Sequence, residues 1–379
     1  MNPVQRTYQG LEAIQTTDVN VRAWVSVDEA GAVTQAEWVQ SAVNSGAQLP
    51  LAGMTVGVKD LFDVAGTPTI AGFLPFSRRP AATRDATAVA RLRADGAVIV
   101  GKTVTTQFAV GDPPMTRNPW NLEHTPGGSS SGSAAAAAPP RGSTALGTQT
   151  GGSVLRPAAF CGVLGFKPTH GWADRRGLIP LAPSLDHVGL FARNVADLAR
   201  LYDVLAEPGL PRHHNYSALH AARIGVWADP LARVSMTMRD AVIDAIEDLS
   251  SAGATVMDAT CPVSSQNLLA VHHIVMWSEM ASVHRKLFAR YSDDYAPVIR
   301  TAIEVGSAVP ASDYIAARLV RDEVLKQLEN QWAPFDLIII PTSDDVAPGL
   351  ETTGSSELQA VVTLLGLPAI SIPIGFNQD

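Results

Sequence analysis

Residues 125–140 read Thr-Pro-Gly-Gly-Ser-Ser-Ser-Gly-Ser-Ala-Ala-Ala-Ala-Ala-Pro-Pro, and the meaning of this run decides whether the chain is one domain or two. Glycine and serine alone would read as a flexible linker. The five alanines from Ala134 to Ala138 argue otherwise, because alanine is the strongest helix former and is small enough to pack closely. The run therefore predicts a loop feeding a buried helix inside one domain. A glycine-serine backbone turning tightly into a helix is also a place where N–H groups can hold an anion or a developing oxyanion.

Outward from this run, β-branched segments bounded by turn residues occur at 54–58 and 97–100 on one side, and at 223–226, 255–257, 337–340 and 369–372 on the other. Helical patterns lie between them, at 85–93 ahead of Gly96 and at 195–205, opened by Asn194 as an N-cap and closed by Pro208 and Gly209. Further helices are predicted at 236–251, 264–291 and 312–331, the last carrying Arg318, Arg321, Asp322, Lys326 and Glu329 as a solvated face. Strands alternating with helices predict an α/β fold with a largely parallel sheet.

Composition narrows the function classes. Of 379 residues, 46% are hydrophobic and 17% charged, the latter below the usual ~25%, so a large core is available and disorder is not expected. The net charge is −8, from 28 Lys+Arg against 36 Asp+Glu, which argues against a nucleic-acid surface. Cys161 and Cys261 are too few for a disulfide framework and lack zinc spacing. No signal-peptide pattern opens the chain, and no window approaches the ~18 apolar residues of a membrane span. A reducing, cytoplasmic setting without a membrane partner is expected. Asn215-Tyr216-Ser217 spells a glycosylation acceptor, read as accidental where no secretory route is indicated.

Gly96-Ala97-Val98-Ile99-Val100-Gly101-Lys102-Thr103 fits the spelling of a phosphate-binding loop. Its four variable residues instead predict a buried strand, whose amides bond within a sheet and are not free to wrap a phosphate. No HExxH occurs. His272 and His273 are adjacent in a helical pattern and point to different faces, so they read as surface or core histidines and not as a chelating pair.

A second glycine-serine turn runs Gly147-Thr148-Gln149-Thr150-Gly151-Gly152-Ser153-Val154-Leu155-Arg156-Pro157-Ala158-Ala159. With it, five motifs stand in order: Gly57-Val58-Lys59-Asp60; Gly101-Lys102-Thr103; Pro126 through Ser133; the Ser153 turn; and Cys161-Gly162 with Gly165-Phe166-Lys167-Pro168-Thr169. This set resembles the amidase signature family, densely over 53–206 and again over 335–375, where Leu367-Pro368-Ala369 resembles a late strand; the segment between is generic. Within the family the chain looks closest to malonamidase-type members, sharing Ser131 where many have glycine, Gln149 where many have aspartate, and a short loop at 111–118.

The resemblance implies a single large α/β domain with a mixed, twisted central sheet covered by helices on both sides. It also implies a Ser-cisSer-Lys triad, with Ser153 as nucleophile, Ser129 after a cis peptide as proton relay and Lys59 as base. The chemistry explains the need for these residue types: a serine hydroxyl requires a base at neutral pH, and lysine can serve if burial lowers its pKa from about 10.4. The N–H groups of Thr150, Gly151, Gly152 and Ser153 would form the oxyanion hole. No metal or cofactor is implied. Arg156, three residues after the nucleophile, matches the arginine that binds the substrate's free carboxylate in malonamidase, and a structural ion pair is the alternative. Ser131 and Gln149 are taken as substrate-binding with it. Cys161 reads as a buried small hydrophobe, and Asp60 and Asp186 as holders of loops.

The chain departs from the family at its end, closing at Asn377-Gln378-Asp379 where members usually continue into another strand and a helix. Absence of those elements would leave a sheet edge to be covered by a partner chain or would mark a truncation. The expected organisation is one domain over 1–379, with a catalytic core at about 53–206, a variable helical region at about 230–332 and late core strands at about 335–376. The expected function is an amidase that converts a carboxylic acid amide to acid and ammonia or amine through an acyl-enzyme on Ser153, in its narrower form a small amide with a free carboxylate. The alternatives are an amidotransferase subunit supplying ammonia to a charged tRNA, and a non-catalytic scaffold. The expected partner is a small-molecule amide, with no nucleic acid and no membrane; a homodimer is compatible with the sequence.

Overall fold

Ten strands among the described residues form two sheets. They are β1 (Trp24–Val27), β2 (Thr55–Lys59), β3 (Val98–Thr103), β4 (Thr144–Gln149), β5 (Leu164–Lys167), β6 (His187–Ala192), β7 (Arg223–Trp227), β8 (Thr255–Ala259), β9 (Leu337–Ile339) and β10 (Ala369–Ser371). The computed structural model describes residues 2–139, 143–210 and 222–377, so the Asn215-Tyr216-Ser217 triplet lies outside the described residues. The central sheet runs β1-β3-β2-β4-β6-β5-β10, and β8-β7-β9 form a separate sheet.

The central sheet is mixed, as the family resemblance implies, and not largely parallel as the strand-helix alternation predicts. Only β2 with β3 and β2 with β4 pair in parallel, whereas β1/β3, β4/β6, β5/β6 and β5/β10 are antiparallel. The antiparallel half is built from β4, β5 and β6, which carry Gly147, Gly165 and Gly189 and polar residues in place of a β-branched run. That composition hides them from a strand pattern. The three-stranded sheet is parallel throughout.

Twelve helices accompany the sheets among the described residues: α1 (Pro3–Val21), α2 (Glu29–Asn44), α3 (Thr87–Ala94), α4 (Ser131–Ala137), α5 (Leu155–Phe160), α6 (Val195–Leu205), α7 (Ala228–Leu231), α8 (Met236–Ser251), α9 (Ser265–Tyr291), α10 (Pro297–Ala308), α11 (Ala311–Gln331) and α12 (Glu357–Leu364). On one face of the central sheet, Val56, Ile99, Leu146 and Leu190 pack against Val89 and Leu92 of α3 and Leu198, Leu201 and Leu205 of α6. On the other, Ala145 and Phe191 meet the alanines of α4. Each fully buried valine or leucine here contributes about 1.5–3 kcal/mol. All seven residues of α4 are buried, so residues 125–137 are a loop entering a core helix and not a linker. None of the described helices is long and apolar enough to cross a membrane.

The longest helix, α9, packs against α10, α11 and α12. Its buried positions Leu268, His272 and Val275 follow the four-three spacing of a core-facing stripe.

Candidate active site

Strand β2 ends at Lys59, whose side chain is fully buried. Its Nζ lies 2.8 Å from Ser129 Oγ, 2.9 Å from Ser130 Oγ and 2.8 Å from Thr148 Oγ1. Burial pushes this amine well below its usual range, against a smaller pull from the charge of Asp186. An uncharged amine has two N–H donors and one lone pair. Ser130 Oγ donates to Thr148 O at 3.2 Å, so its oxygen is free to accept from the lysine. With the two N–H groups given to Ser130 and Thr148, the lone pair is left for the Ser129 hydroxyl proton. The Gly128–Ser129 peptide is cis, as the family resemblance implies.

Ser153 sits in the turn between β4 and α5, buried to 7% exposure. Among the described residues no hydrogen bond joins it to Ser129, whose Oγ is bonded to Lys59 Nζ. Three carbonyls of the turn are engaged. Thr150 O accepts from His272 Nε2 at 2.8 Å, Gly151 O from Thr363 Oγ1 at 2.5 Å and Gly152 O from the Arg156 amide at 3.1 Å. The N–H groups of Gly151, Gly152 and Ser153 meet no acceptor among the described residues. A Cβ on Gly152 would come 2.5 Å from Gln359 Oε1, so the turn needs glycine there for close approach.

The polar side chains expected to bind substrate are occupied by the protein. Gln149 Oε1 accepts from the amides of Val154 and Leu155 at 2.7 and 3.0 Å, while its Nε2 donates to Thr363 Oγ1. It caps α5. Ser131 Oγ donates to Gly127 O at 2.7 Å within the loop that enters α4. Arg156 Nη2 donates to Gly128 O at 2.6 Å and Thr353 Oγ1 at 3.3 Å, and Nη1 to Gly354 O at 2.7 Å. Its Nε is buried without a partner among the described residues. The guanidinium fork thus clamps two backbone segments, and it makes no ion pair among the described residues. Burial lowers it to about 10, against a weaker pull from Asp344.

Other residues singled out by sequence fall where their chemistry places them. Asp186 accepts from Thr150 Oγ1 at 2.6 Å and from the amides of Leu181 and Ala182, tying the Ser153 turn to a neighbouring loop. Asp60 pairs with Lys102 at 2.7 Å in the core, which accounts for the lysine of the false phosphate-loop spelling: Val98 to Thr103 is strand β3. Cys161 is fully buried. Among the described residues no cluster of three or more His, Cys, Asp or Glu side chains is placed to hold a metal ion.

Sequence patterns miss two contributors, His272 and Thr363. Both reach the Ser153 turn from helices remote in sequence, and the one signal for either is a histidine on the apolar stripe of α9. A buried Lys167, at the end of β5, is pushed down to about 7 by desolvation; its Nζ bonds Pro168 O and Leu367 O.

Comparison with known proteins places this arrangement. Residues 6–379 match the Amidase family. A glutamyl-tRNA(Gln) amidotransferase subunit from Roseiflexus castenholzii is 35% identical, with 97% of this chain and 85% of the relative aligned. A solved amidase structure superposes with a TM-score of 0.88 at 30% identity, covering 98% of this chain and 89% of that one. The peptide amidase of Stenotrophomonas maltophilia gives 0.82 at 26% identity, covering 100% and 88%. The fold is that of hydrolases that cleave the C–N bond of linear amides. The chain belongs to the amidase signature family.

Proposed function

We propose that the protein hydrolyses a small carboxylic acid amide through an acyl-enzyme on Ser153. The observation that carries this reading is the Lys59 amine, enclosed by three hydroxyls with no carboxylate bonded to it and directed at Ser129. Ser153 Oγ attacks the amide carbon, its proton passes to Ser129 Oγ, and the Ser129 proton passes to Lys59 Nζ. The N–H groups of Gly151, Gly152 and Ser153 receive the oxyanion. As the C–N bond breaks, the proton returns through Ser129 to the nitrogen, and ammonia or an amine leaves. Water then attacks the acyl ester by the same route and frees the acid.

A substrate bearing a free carboxylate is the narrower form of this reading. Arg156 gives three of its five N–H groups to Gly128 O, Thr353 Oγ1 and Gly354 O, which leaves the Nε–H and one Nη1–H for a carboxylate; a neutral acyl group needs neither. The second reading, one member of a complex that supplies ammonia to a charged tRNA, is favoured by the amidotransferase relatives and opposed by the net charge of −8.

Ammonia release from paired small amides, one of each pair carrying a carboxylate, tests all three. Release by the chain alone and not by Ser153→Ala supports the hydrolase. Release confined to assays with added amidotransferase subunits and tRNA supports the second reading. Preference for the acidic member that Arg156→Gln erases through KM supports the narrower substrate.

A further inference from the structure

We propose that His272 and Thr363 are positioning residues that set the oxyanion hole by holding the carbonyls of the nucleophile turn away from the substrate. The proposal rests on the acyl-transfer reading and deepens it. In a trans peptide the C=O and the following N–H point in opposite directions because the unit is planar. Fixing one therefore aims the other. His272 Nε2 holds Thr150 O at 2.8 Å, which turns the Gly151 N–H to the opposite side; Thr363 Oγ1 holds Gly151 O at 2.5 Å, which does the same for the Gly152 N–H. The Arg156 amide holds Gly152 O and so directs the Ser153 N–H. None of these three N–H groups, nor that of Thr150, meets an acceptor among the described residues.

The donors are fixed in their own right. His272 is 1% exposed, and because a carbonyl can only accept, the proton must be on Nε2. Burial depresses this imidazole to about 4, so it remains a neutral, single-tautomer donor through the neutral range. Its Nδ1 is buried without a partner among the described residues. Thr363 Oγ1 accepts from Gln149 Nε2 at 2.9 Å, and its one proton has two carbonyls in reach, Gly151 O at 2.5 Å and Gln359 O of its own helix at 3.0 Å, of which the turn carbonyl is the shorter contact. Glycines at 151 and 152 leave the turn soft, since residues without a Cβ have the widest choice of backbone angles; the two side chains supply from outside the rigidity that the glycines lack. His272 comes from α9 and Thr363 from α12, so neither belongs to the loop they hold.

The test uses a fluorophosphonate, which needs no knowledge of the natural substrate. Ser153 Oγ forms a bond to phosphorus, the P–F bond breaks, fluoride leaves and the serine proton passes to Ser129 and Lys59, while the phosphoryl oxygen occupies the oxyanion hole. The second-order rate of Ser153 labelling is measured for the intact chain, His272→Leu, His272→Gln, Thr363→Val and Thr363→Ser, with the melting temperature of each. Losing one oxyanion donor typically costs about 10²–10³-fold, and a donor left unaimed should cost less. We expect labelling to fall about 10–100-fold in His272→Leu and Thr363→Val, and to recover to within about fivefold in His272→Gln and Thr363→Ser, which restore an N–H or O–H donor. Both losses combined in one chain should be less than multiplicative, because they act on one turn. Labelling of folded His272→Leu and Thr363→Val within twofold of the intact chain would overturn the proposal, and so would equal losses in the Leu and Gln variants. If the intact chain and Ser153→Ala label alike, it is the nucleophile assignment that fails.

Discussion

Lys59 sits among three hydroxyls, and the nearest influence of an acid on it is the weaker, longer-range pull of Asp186. Lys59→Met should therefore lower amide hydrolysis by about 10²–10⁴-fold, the usual worth of a general base, measured as kcat/KM on the best amide found. In the intact chain kcat/KM should rise with pH as Lys59 loses its proton and reach its plateau well below 10.5; a limb near 10.5 would show that the lysine keeps its ordinary affinity for the proton. Lys167 gives a stability signature instead. Folded, it titrates near 7, whereas unfolded it returns to about 10.5. Between those values the unfolded chain holds the extra proton, so this group's contribution to stability rises with pH across the window and is lost as pH falls through 7. The melting temperature of the intact chain relative to Lys167→Met should therefore climb between pH 7 and 10. Lys59, Ser129 and Ser153 are legible in the sequence because their spacing is part of a family pattern. The polar residues around them are not, because their partners Gly354, Thr353 and Thr363 lie about 200 positions away and no local spacing announces them.

Among the elements, helices with a clean apolar stripe and an N-cap are the readable ones. Val195–Leu205 and Met236–Ser251 coincide with their sequence patterns, each opened by a side-chain cap from Asn194 or Ser235. The glycine-bearing strands β4, β5 and β6 are not readable, for the reason that they pack by backbone closeness where most strands use branched side chains. Helix α5 shows how far an element can depend on a remote arrangement: it has six residues and no cap from its own N-cap position, and its first amides are satisfied by Gln149. Gln149→Ala should leave those two N–H groups buried and unpaired and lower stability by about 1–3 kcal/mol, whereas Gln149→Glu, which keeps an acceptor there, should lose less. Denaturant unfolding of the two variants checks this.

Across the whole molecule the central sheet supplies the lysine and both serines' surroundings, while α9 and α12 close over the nucleophile turn from the side. The contact of α9 with α10 is tight at one point. A Cβ on Gly306 would lie 2.0 Å from Trp277 O, so Gly306→Ala must push the two helices apart, at a cost of about 1–3 kcal/mol. Because α9 also carries His272, the same change should slow fluorophosphonate labelling of Ser153 as well as lower the melting temperature; a variant that melts earlier but labels at the intact rate would show that α9 is uncoupled from the turn.

The bond from Thr363 to Gly151 has a bearing on the order in which the chain is made. A ribosome completes Lys59, Ser129 and Ser153 well before it reaches α9 and later α12, so the nascent polypeptide carries a full set of reacting groups without the two anchors. On the proposed role of the two anchors, a growing chain holds its hydrolytic power in abeyance until α12 has been made and docked.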